Sequence, residues 1–329
     1  MKKVQESQVK SALVAAKQIF EGRDNLGGFP LLQNNQLKSP NIFSNQRNSE
    51  QILTSFLTKS GFEFEKFDML REQNQTRLKQ EVQKIKDDAV KNSTFVQDIN
   101  NKNVANWKDS LANILTDIGP ANPNTNIVAV NTPFLVWPSH GLILDDPHIE
   151  PWKNSAKFRI NSTSASNGLE TLTFYFLWEN PNSKYVVTNI GSSLVLNGYC
   201  EISANGGFMG IFPGGKSYLS LDARLTIYDW NTQPPVQPFP QSKQSNHILT
   251  LSADGGGYFE SVGAIEYTTA KGNFNLGYDL FLLPPHGVGV FEVDLSFSYQ
   301  NDNAQIDEID FESGDFQVLC PAVTVTILS

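Results

Sequence analysis

The sequence predicts a two-part α+β chain, with an N-terminal α-helical region over residues 1–120 and an antiparallel β-sandwich, most simply a jelly roll, over residues 121–329. Two observations predict this division. Apolar residues recur at steps of three and four before residue 119, but alternate with polar residues from residue 127 onward. The intervening GPANPNT, at 119–125, combines glycine, proline and asparagine and is typical of a boundary.

Charge is also divided unevenly between the two parts. Residues 1–120 carry 17 Lys+Arg and 14 Asp+Glu, a net charge of +3, whereas residues 121–329 carry 8 and 20, a net charge of −12. Because nucleic-acid affinity comes mostly from Lys and Arg, the acidic second part is a poor phosphate binder. The first part has interspersed charges and no basic run. We therefore expect no nucleic-acid partner.

The start of the chain predicts an amphipathic helix rather than a signal peptide. Its longest apolar run, residues 12–16, is short and is closed by Lys17. No stretch of the sequence reaches the ~20 apolar residues needed to span a bilayer. We therefore expect no transmembrane segment and a chain that is cytoplasmic as synthesised, with its final location left open. The apolar stripe of this helix consists of Val9, Ala12, Leu13, Ala16 and Phe20.

The longest helical pattern runs from about residue 65 to residue 118. Apolar positions within it alternate steps of four and three, as in a coiled coil. The predicted seam consists of Leu78, Val82, Ile85, Ala89, Asn92, Val96 and Ile99. A polar seam residue such as Asn92 often fixes register or oligomeric state.

Two arrangements of this helical segment remain open. A continuous helix would be a rod on the order of 75 Å long, at 1.5 Å per residue. Weak helix formers between residues 92 and 103 favour a break and a helical hairpin instead. The seam is expected to mediate self-association, and packing within the same chain is the alternative.

From residue 127 the alternation predicts nine or ten strands. In YLSLDARLTIYDW, residues 218–230, apolar side chains share one face, and Ser220, Asp222 and Arg224 share the other. No helix separates the strand candidates, which favours an antiparallel sandwich over a parallel α/β fold. Turn-forming glycines are expected between strands at Asn197-Gly198, Asn205-Gly206-Gly207, Pro213-Gly214-Gly215, Asp254-Gly255-Gly256-Gly257 and Lys271-Gly272-Asn273. The last of these turns would separate strands at 257–268 and 275–283.

A long connection, NTQPPVQPFPQSKQSN at 231–246, contains four prolines and almost no charge. Proline favours extended, preorganised backbone, so we expect a projecting arm. Loops of this length are often functional, and the preceding tryptophan offers an aromatic face. The predicted contacts to a protein or glycan partner are Trp230, Pro234, Pro235, Pro238, Phe239 and Pro240.

The stretch HGLILDDPHIEPW, at 140–152, contains groups that bind metals. Prolines and the apolar GLIL separate these groups, whereas zinc sites use tighter spacings. Aspartate followed by proline also favours a turn. A polar connector is therefore favoured over a metal or catalytic site. The weak metal candidates here are His140, Asp145, Asp146, His148 and Glu150.

The acidic run NDNAQIDEIDFESGDF, at 301–316, offers oxygen ligands of the kind that calcium prefers. Asp302, Asp307 and Asp310 are the candidates. The run lacks the spacing and central glycine of a helix–loop–helix calcium site, so a solvated acidic edge is favoured. We expect no cofactor, with calcium as the alternative. The two cysteines, Cys200 and Cys320, are expected to be buried thiols rather than a disulfide.

The sequence contains no nucleophile-elbow motif and no phosphate-binding glycine loop. We therefore expect no catalytic residues and a structural or assembly protein, with a helical oligomerisation or attachment region and an acidic β-sandwich head. The first alternative is a ligand-binding module, lectin-like or receptor-binding, that uses loops at one end of the sandwich. A metal-dependent hydrolase around His140–Glu150 and a membrane-acting toxin are the remaining alternatives.

Overall fold

The structure, a computed structural model, describes residues 9–11, 13–14, 64–91, 95, 98–102, 105, 125–207, 214–229, 240–256 and 263–328. Most of these residues lie in antiparallel strands of two sheets, which confirms the predicted antiparallel sandwich. Contacts divide the chain into two compact units, residues 1–17 together with 85–329, and residues 18–84. The predicted boundary lies outside the described residues except for Thr125, which begins the first strand.

The strands, in chain order, are β1 Thr125–Val130, β2 Leu135–Pro138, β3 Ile143–Leu144, β4 Ser155–Ala156, β5 Phe158–Ile160, β6 Asn167–Glu179, β7 Val186–Ala204, β8 Lys216–Asp229, β9 Pro240–Asp254, β10 Ala264–Leu283, β11 Val288–Asp302, β12 Ala304–Asp310, β13 Gln317–Leu319 and β14 Val323–Leu328. Sheet 1 contains nine of them and is built around β7. Sheet 2 has the order β2-β6-β11-β8-β9. The long strands from β6 to β11 cross repeatedly between the sheets. Strands β7 and β10 lie in sheet 1, whereas β6, the consecutive pair β8 and β9, and β11 lie in sheet 2.

Strand β7 organises sheet 1. It is 19 residues long and pairs with β10 along one edge. Along its other edge it pairs in turn with β12, β13 and β14. Alternate residues of β7, including Leu194, Leu196 and Ile202, face sheet 2 and are fully buried. This one strand therefore carries the hydrogen-bonding register of four others.

The core lies between the two sheets and follows the predicted alternation. In β8, the inward residues Leu219, Leu221 and Ile227 are fully buried, while Asp222 and Arg224 point away from the core. Cys200 and Cys320 are both free and buried, as expected. Burial raises the pKa of both thiols above the usual range, so they remain neutral and unreactive.

Three glycine-containing loops pack backbone to backbone at one end of the sandwich. The Gly215 amide donates to the Asn205 carbonyl at 2.7 Å, and the Gly255 amide donates to the Gly215 carbonyl at 2.8 Å. A Cβ on Gly215 would overlap the carbonyl oxygen of Asn303, and one on Gly255 would overlap that of Asn205. We call Asn205, Gly214, Gly215, Gly255 and Asn303 the glycine clasp. These predicted turns do lie between strands, and close backbone approach is what requires glycine there.

The predicted turns at Asn197-Gly198 and Lys271-Gly272-Asn273 are wrong. Both lie inside long strands that pair with each other, with Lys271 opposite Asn197. The expected strands at 257–268 and 275–283 are consequently joined in the single strand β10 over residues 264–283. The ring of Phe274 lies over Gly272, filling the space that its missing side chain leaves. Local turn chemistry has been overridden by pairing with a neighbouring strand.

The predicted arm at 231–246 is shorter than expected. Strand β9 begins at Pro240, and residues 240–246 pair with β8. Proline is tolerated because it stands at the first position of an edge strand, where its missing amide costs no ladder hydrogen bond. The other predicted contacts of the arm, Trp230, Pro234, Pro235, Pro238 and Phe239, lie outside the described residues.

One long helix, α1, spans Phe64–Lys91, and residues 9–11, 13–14 and 98–102 are also helical. Residues 92–94 lie outside the described part of the chain, so the choice between a continuous helix and a hairpin stays a prediction. Within the described residues, no helix has the length and apolar character needed to cross a bilayer.

The seam residues have different environments. Val82 is buried, Ala89 is half-buried and Ile85 is exposed, whereas Asn92 and Val96 lie outside the described residues. For Leu78 only the helical backbone is described. Ile99 and its neighbour Phe95 pack against Val195 and Leu319 on the outer side of sheet 1. This end of the seam is therefore covered by the same chain, and the coiled coil stays a prediction.

A buried ion pair fastens the end of α1 to sheet 1. The Lys86 ammonium lies 2.7 Å from a carboxylate oxygen of Glu308 and 2.7 Å from one of Asp310, and 5.6 Å from the centre of the Tyr199 ring. Asp310 is 2% exposed. We call Lys86, Glu308 and Asp310 the lysine latch. The lysine latch explains how β12 can bury the carboxylate of Asp310, since the Lys86 ammonium supplies the opposite charge.

A polar face on sheet 2 as the candidate functional site

The outer face of sheet 2 carries several polar side chains that are held by hydrogen bonds to one another. Side chains alternate across a strand, so the even-numbered residues of β8 and β11 point away from the core. The registers place Asp294 beside Thr173 on one side and Arg224 on the other, and Ser296 beside Asp222. Strand pairing thereby places residues that are far apart in sequence next to each other on the outer face of sheet 2.

One part of this face is apolar and covered. Val9 and Leu13, from the N-terminal helical residues, pack there against Tyr175, Val288 and Val290, and all five side chains are buried. The predicted amphipathic stripe therefore uses two of its residues to cover this part of the sandwich. The remaining stripe residues, Ala12, Ala16 and Phe20, lie outside the described residues.

Two carboxylates are buried at the centre of the face. Glu292 accepts a hydrogen bond from the Tyr228 hydroxyl at 2.7 Å, and Asp294 accepts one from the Thr173 hydroxyl. Both carboxylates are less than a tenth exposed. Burial, followed by the charge of Glu292, raises the pKa of the Tyr228 hydroxyl, so it stays protonated and can donate. These contacts hold the middle of the face rigid.

The exposed part of the face holds a connected set of two hydrogen bonds and one ion pair. One oxygen of Asp222 lies 3.0 Å from Nδ1 of His247, and its other oxygen lies 3.6 Å from the Arg224 guanidinium. Nε2 of His247 lies 3.0 Å from the Thr250 hydroxyl. The four side chains come from adjacent strands β8 and β9 and fix each other's orientation.

An aromatic and an aliphatic side chain flank this set. Tyr218, four residues before Asp222 on β8, is 41% exposed, and Leu169 on β6 is half exposed. Gln300 on β11 lies beside Tyr218 in the register and is also exposed. We define the sheet 2 face as Leu169, Tyr218, Asp222, Arg224, His247, Thr250 and Gln300. It offers a ring, a carboxylate, a guanidinium, an imidazole and an amide on one face of the sheet.

The stretch at 140–152 connects β2 to β4, with most of its polar side chains exposed and Leu142 buried in the core. His140, Asp145 and Asp146 are exposed, and Nε2 of His148 lies 3.4 Å from a carboxylate oxygen of Glu150. The predicted polar turn also contains the short strand β3, which pairs with β5. A catalytic role for this stretch stays a prediction.

The three acidic candidates at 301–316 lie in different environments and do not form one site. Asp302 is exposed, Asp307 accepts a hydrogen bond from the Gln305 amide, and Asp310 belongs to the lysine latch. Among the described residues, no three His, Cys, Asp or Glu side chains converge in an arrangement able to hold a metal ion. Calcium binding therefore stays a prediction with no assembled site in the described part of the chain.

The sequence contains a partial signal for the sheet 2 face. Alternation in β8 places Asp222 and Arg224 on its polar side, but nothing in the sequence shows which strand lies next to it. His247 looks isolated in the sequence, because its partner Asp222 is 25 residues away. Strand pairing is the missing information, and it is what assembles the face.

No protein-family model and no curated protein matches the sequence. Solved structures with detectable similarity include the enzymatically active domain of tailspike protein 4 from bacteriophage CBA120, at 11% identity over 63% of this chain and 20% of that chain, with a TM-score of 0.22. A mannan-recognising carbohydrate-binding module matches at 9% identity over 62% and 96% of the two chains, with a TM-score of 0.21. A family 35 carbohydrate-binding module from Clostridium thermocellum matches at 8% identity over 59% and 97%, with a TM-score of 0.15. This chain spans only about a fifth of the tailspike domain.

Proposed function

We propose that the β-sandwich is a glycan-binding module that holds its ligand on the sheet 2 face. One observation carries this proposal: an exposed tyrosine ring lies on the same face of the sheet as planar polar groups that already hold each other in place. Sugars present an apolar ring face together with hydroxyls that both donate and accept. An aromatic side chain packs against the apolar face of the sugar, and carboxylate, guanidinium and amide groups form hydrogen bonds with its hydroxyls.

Preorganisation favours binding at this face over the other exposed surfaces described. Asp222 is oriented by both His247 and Arg224, so little side-chain entropy is lost when a ligand contacts it. Each of these groups keeps hydrogen-bonding capacity, since a carboxylate accepts several hydrogen bonds and a guanidinium donates five. The face is therefore ordered before the ligand arrives.

The spacing of the face favours an oligosaccharide over a single sugar. Tyr218 and Asp222 are four residues apart on one strand, which corresponds to about 13 Å at ~3.3 Å per residue. A ligand that contacts both must be extended along β8. The acidic charge of the sandwich, net −12 over residues 121–329, favours neutral over anionic chains.

Replacing Tyr218 by alanine is expected to weaken glycan binding by about tenfold, or ~1.4 kcal/mol, because the ring contact is lost. The full chain is first screened on an array of neutral oligosaccharides, with and without calcium, and the best ligand is then titrated calorimetrically. Tyr185→Ala is the matched control, since Tyr185 is 64% exposed but immediately precedes β7 of the other sheet. Equal affinities of both variants would contradict the proposal.

The loop site that the sequence predicts provides a second comparison. Trp230→Ala removes the aromatic side chain at the start of the proline-rich segment. Loss of binding in Trp230→Ala, together with full binding by Tyr218→Ala, would show that the glycan binds at the proline-rich loop and not on the sheet 2 face. An array without any bound glycan would remove the proposed function altogether.

Assembly through the helical seam is the second proposal, and the exposure of Ile85, at 43%, favours it. Light scattering after size-exclusion chromatography on the full chain would then give a defined oligomer. Ile85→Asp is expected to dissociate this oligomer, because a charge on the seam opposes burial. A monomeric full chain at micromolar concentration would contradict this proposal and leave glycan binding unaffected.

A further inference from the structure

Three side chains of the sheet 2 face are hydrogen-bonded in the order carboxylate, imidazole, hydroxyl. Asp222 Oδ1 lies 3.0 Å from His247 Nδ1, and His247 Nε2 lies 3.0 Å from Thr250 Oγ1. In the tautomer protonated at Nδ1, the imidazole donates to Asp222 and accepts from the Thr250 hydroxyl. A base that contacts a hydroxyl and is itself oriented by a third group is the arrangement that activates a nucleophile.

An irregularity in β9 creates this arrangement. Residues three apart in a regular strand point to opposite faces, so His247 and Thr250 would normally be separated by the sheet. The register shifts between Leu221 and Asp222, which pair with Leu249 and His247. The extra residue, Ile248, restores both side chains to the outer face. Bulges that re-aim a side chain are over-represented next to active sites.

We propose that Asp222, His247 and Thr250 form a nucleophilic triad that hydrolyses small acyl esters, with an O-acylated glycan as the substrate class. The choice of a glycan rests on the proposed binding function, but the ester chemistry rests on the triad alone. The site is open, with His247 55% exposed. A small acyl group borne by a long polar chain suits such a surface better than an ester that needs a deep acyl pocket.

The reaction balances with water as the only co-reactant. Thr250 Oγ attacks the ester carbonyl carbon while its proton passes to His247 Nε2. The ester C–O bond then breaks, and the imidazolium returns that proton to the departing sugar alkoxide. Water, deprotonated by His247, then attacks the acyl carbon, the bond from that carbon to Thr250 Oγ breaks, and the imidazolium returns its proton to Thr250 Oγ as the carboxylic acid leaves. Asp222 stabilises the imidazolium, and Arg224 holds the other oxygen of Asp222 in position.

The negative oxygen of the intermediate requires hydrogen-bond donors, for which the backbone amides of β9 are the candidates. Strand β9 is terminal in sheet 2, and over the described residues its strand pairing is with β8 alone. The amides along its outer edge are therefore not used by a neighbouring strand of the sheet. Amide groups aimed at a developing oxyanion are a large contribution to acyl-transfer catalysis.

The test uses the full chain and 4-nitrophenyl acetate, a soluble ester that requires no glycan recognition. Thr250→Val and His247→Gln are each expected to lower the hydrolysis rate by about 100-fold or more, because the nucleophile or its base is removed. Thr250→Ser is expected to retain activity, since it keeps the hydroxyl. His148→Gln is the control, because His148 is 58% exposed and pairs with a carboxylate but not with a hydroxyl. All four substitutions are at exposed positions, and their melting curves are compared with that of the parent.

Peptide mass spectrometry of the quenched reaction is expected to find one acetyl group on Thr250 in the parent and none in Thr250→Val. Equal loss of activity in His148→Gln would show that a histidine outside the triad catalyses the hydrolysis. Full activity in Thr250→Val would show that His247 acts without Thr250 as the nucleophile. Either result would overturn the triad. No hydrolysis together with normal glycan binding overturns the inference and leaves the binding function. Hydrolysis through Thr250 without glycan binding overturns the binding function and the glycan as substrate class, and leaves the ester chemistry of the triad. Hydrolysis that depends on Thr250 and His247 would also show that the prediction of no catalytic residues, made from sequence motifs, is wrong.

Discussion

Replacing Gly255 by alanine is expected to destabilise the sandwich strongly, although the substitution adds only one methyl group. The new Cβ would overlap the carbonyl oxygen of Asn205 and approach the Gly215 nitrogen to 3.0 Å. Both neighbours are backbone atoms, so no side chain can rotate away. Separating the loops would also lengthen the 2.8 Å hydrogen bond from the Gly255 amide to Gly215. We expect a loss of about 3 kcal/mol in the free energy of unfolding.

Urea denaturation of the full chain, followed by tryptophan fluorescence, measures this loss as a shift of the midpoint. Gly277→Ala is the matched control, because a Cβ there meets only the carbonyl oxygen of Ile190 at 3.6 Å, an ordinary contact. We expect the control to change stability by less than ~1 kcal/mol. A Gly255→Ala midpoint as close to the parent as that of the control would show that the clasp loops have room to separate.

Replacing Lys86 by methionine is the second large effect that we expect. Asp310 is 2% exposed, and the substitution would leave its carboxylate buried without its cation. The amides of Glu312 and Ser313 still donate to its other oxygen, which limits the loss to about 3 kcal/mol. Lys84→Met, at an exposed position two residues earlier in α1, is the control. Denaturant titration at neutral pH compares the two variants with the parent.

The pH dependence of this difference follows from the two pKa shifts. Burial opposes the charge of Asp310, but the hydrogen bonds from Lys86 and Ser313 and from the amides of Glu312 and Ser313 outweigh it and lower the pKa of this carboxyl. Burial likewise opposes the Lys86 charge, but its bonds to Asp310 and Glu308 raise the pKa of the ammonium. The Asp310 contribution is present above its unfolded pKa of about 4 and is lost as pH falls through the lower folded value. The Lys86 contribution is complete below about pH 10 and is lost as pH rises through the higher folded value.

We therefore expect the stability difference between the parent and Lys86→Met to be constant between about pH 5 and pH 9, and to shrink at more acidic pH. Guanidinium would screen this electrostatic contribution, so urea is the denaturant of choice. A difference that stays constant down to pH 2 would show that the methionine variant loses packing rather than an ion pair.

Strand alternation made much of the sandwich predictable from the sequence. In β8, every second residue is apolar, and this period appears in the structure with Leu219, Leu221 and Ile227 in the core. Glycine turns were predictable where the loops cross closely, as at Gly215 and Gly255. They were misleading at Gly272, because a long neighbouring strand stabilises extended backbone there more than the local sequence favours a turn.

The candidate site was less predictable than the fold because it depends on contacts between strands. The polar side of β8 was visible, yet the position of His247 beside Asp222 depends on the pairing of β8 with β9. The bulge at Ile248 is equally hidden, since the residues around it alternate poorly in either register. The prolines before β9 suggested a loop as far as Asn246, whereas the strand begins at Pro240.

The long strand β7 has a consequence for how the protein reaches its native state. Its partners β10, β12, β13 and β14 all follow it far along the chain, so β7 leaves the ribosome well before any of them is made. Closing such distant pairs costs loop entropy before it gains contacts, which makes folding slow. Until then both edges of a 19-residue strand are unpaired, and an unpaired edge of that length is a template for aggregation. The same strand that organises the finished sheet is thus the segment of the nascent chain most in need of a chaperone.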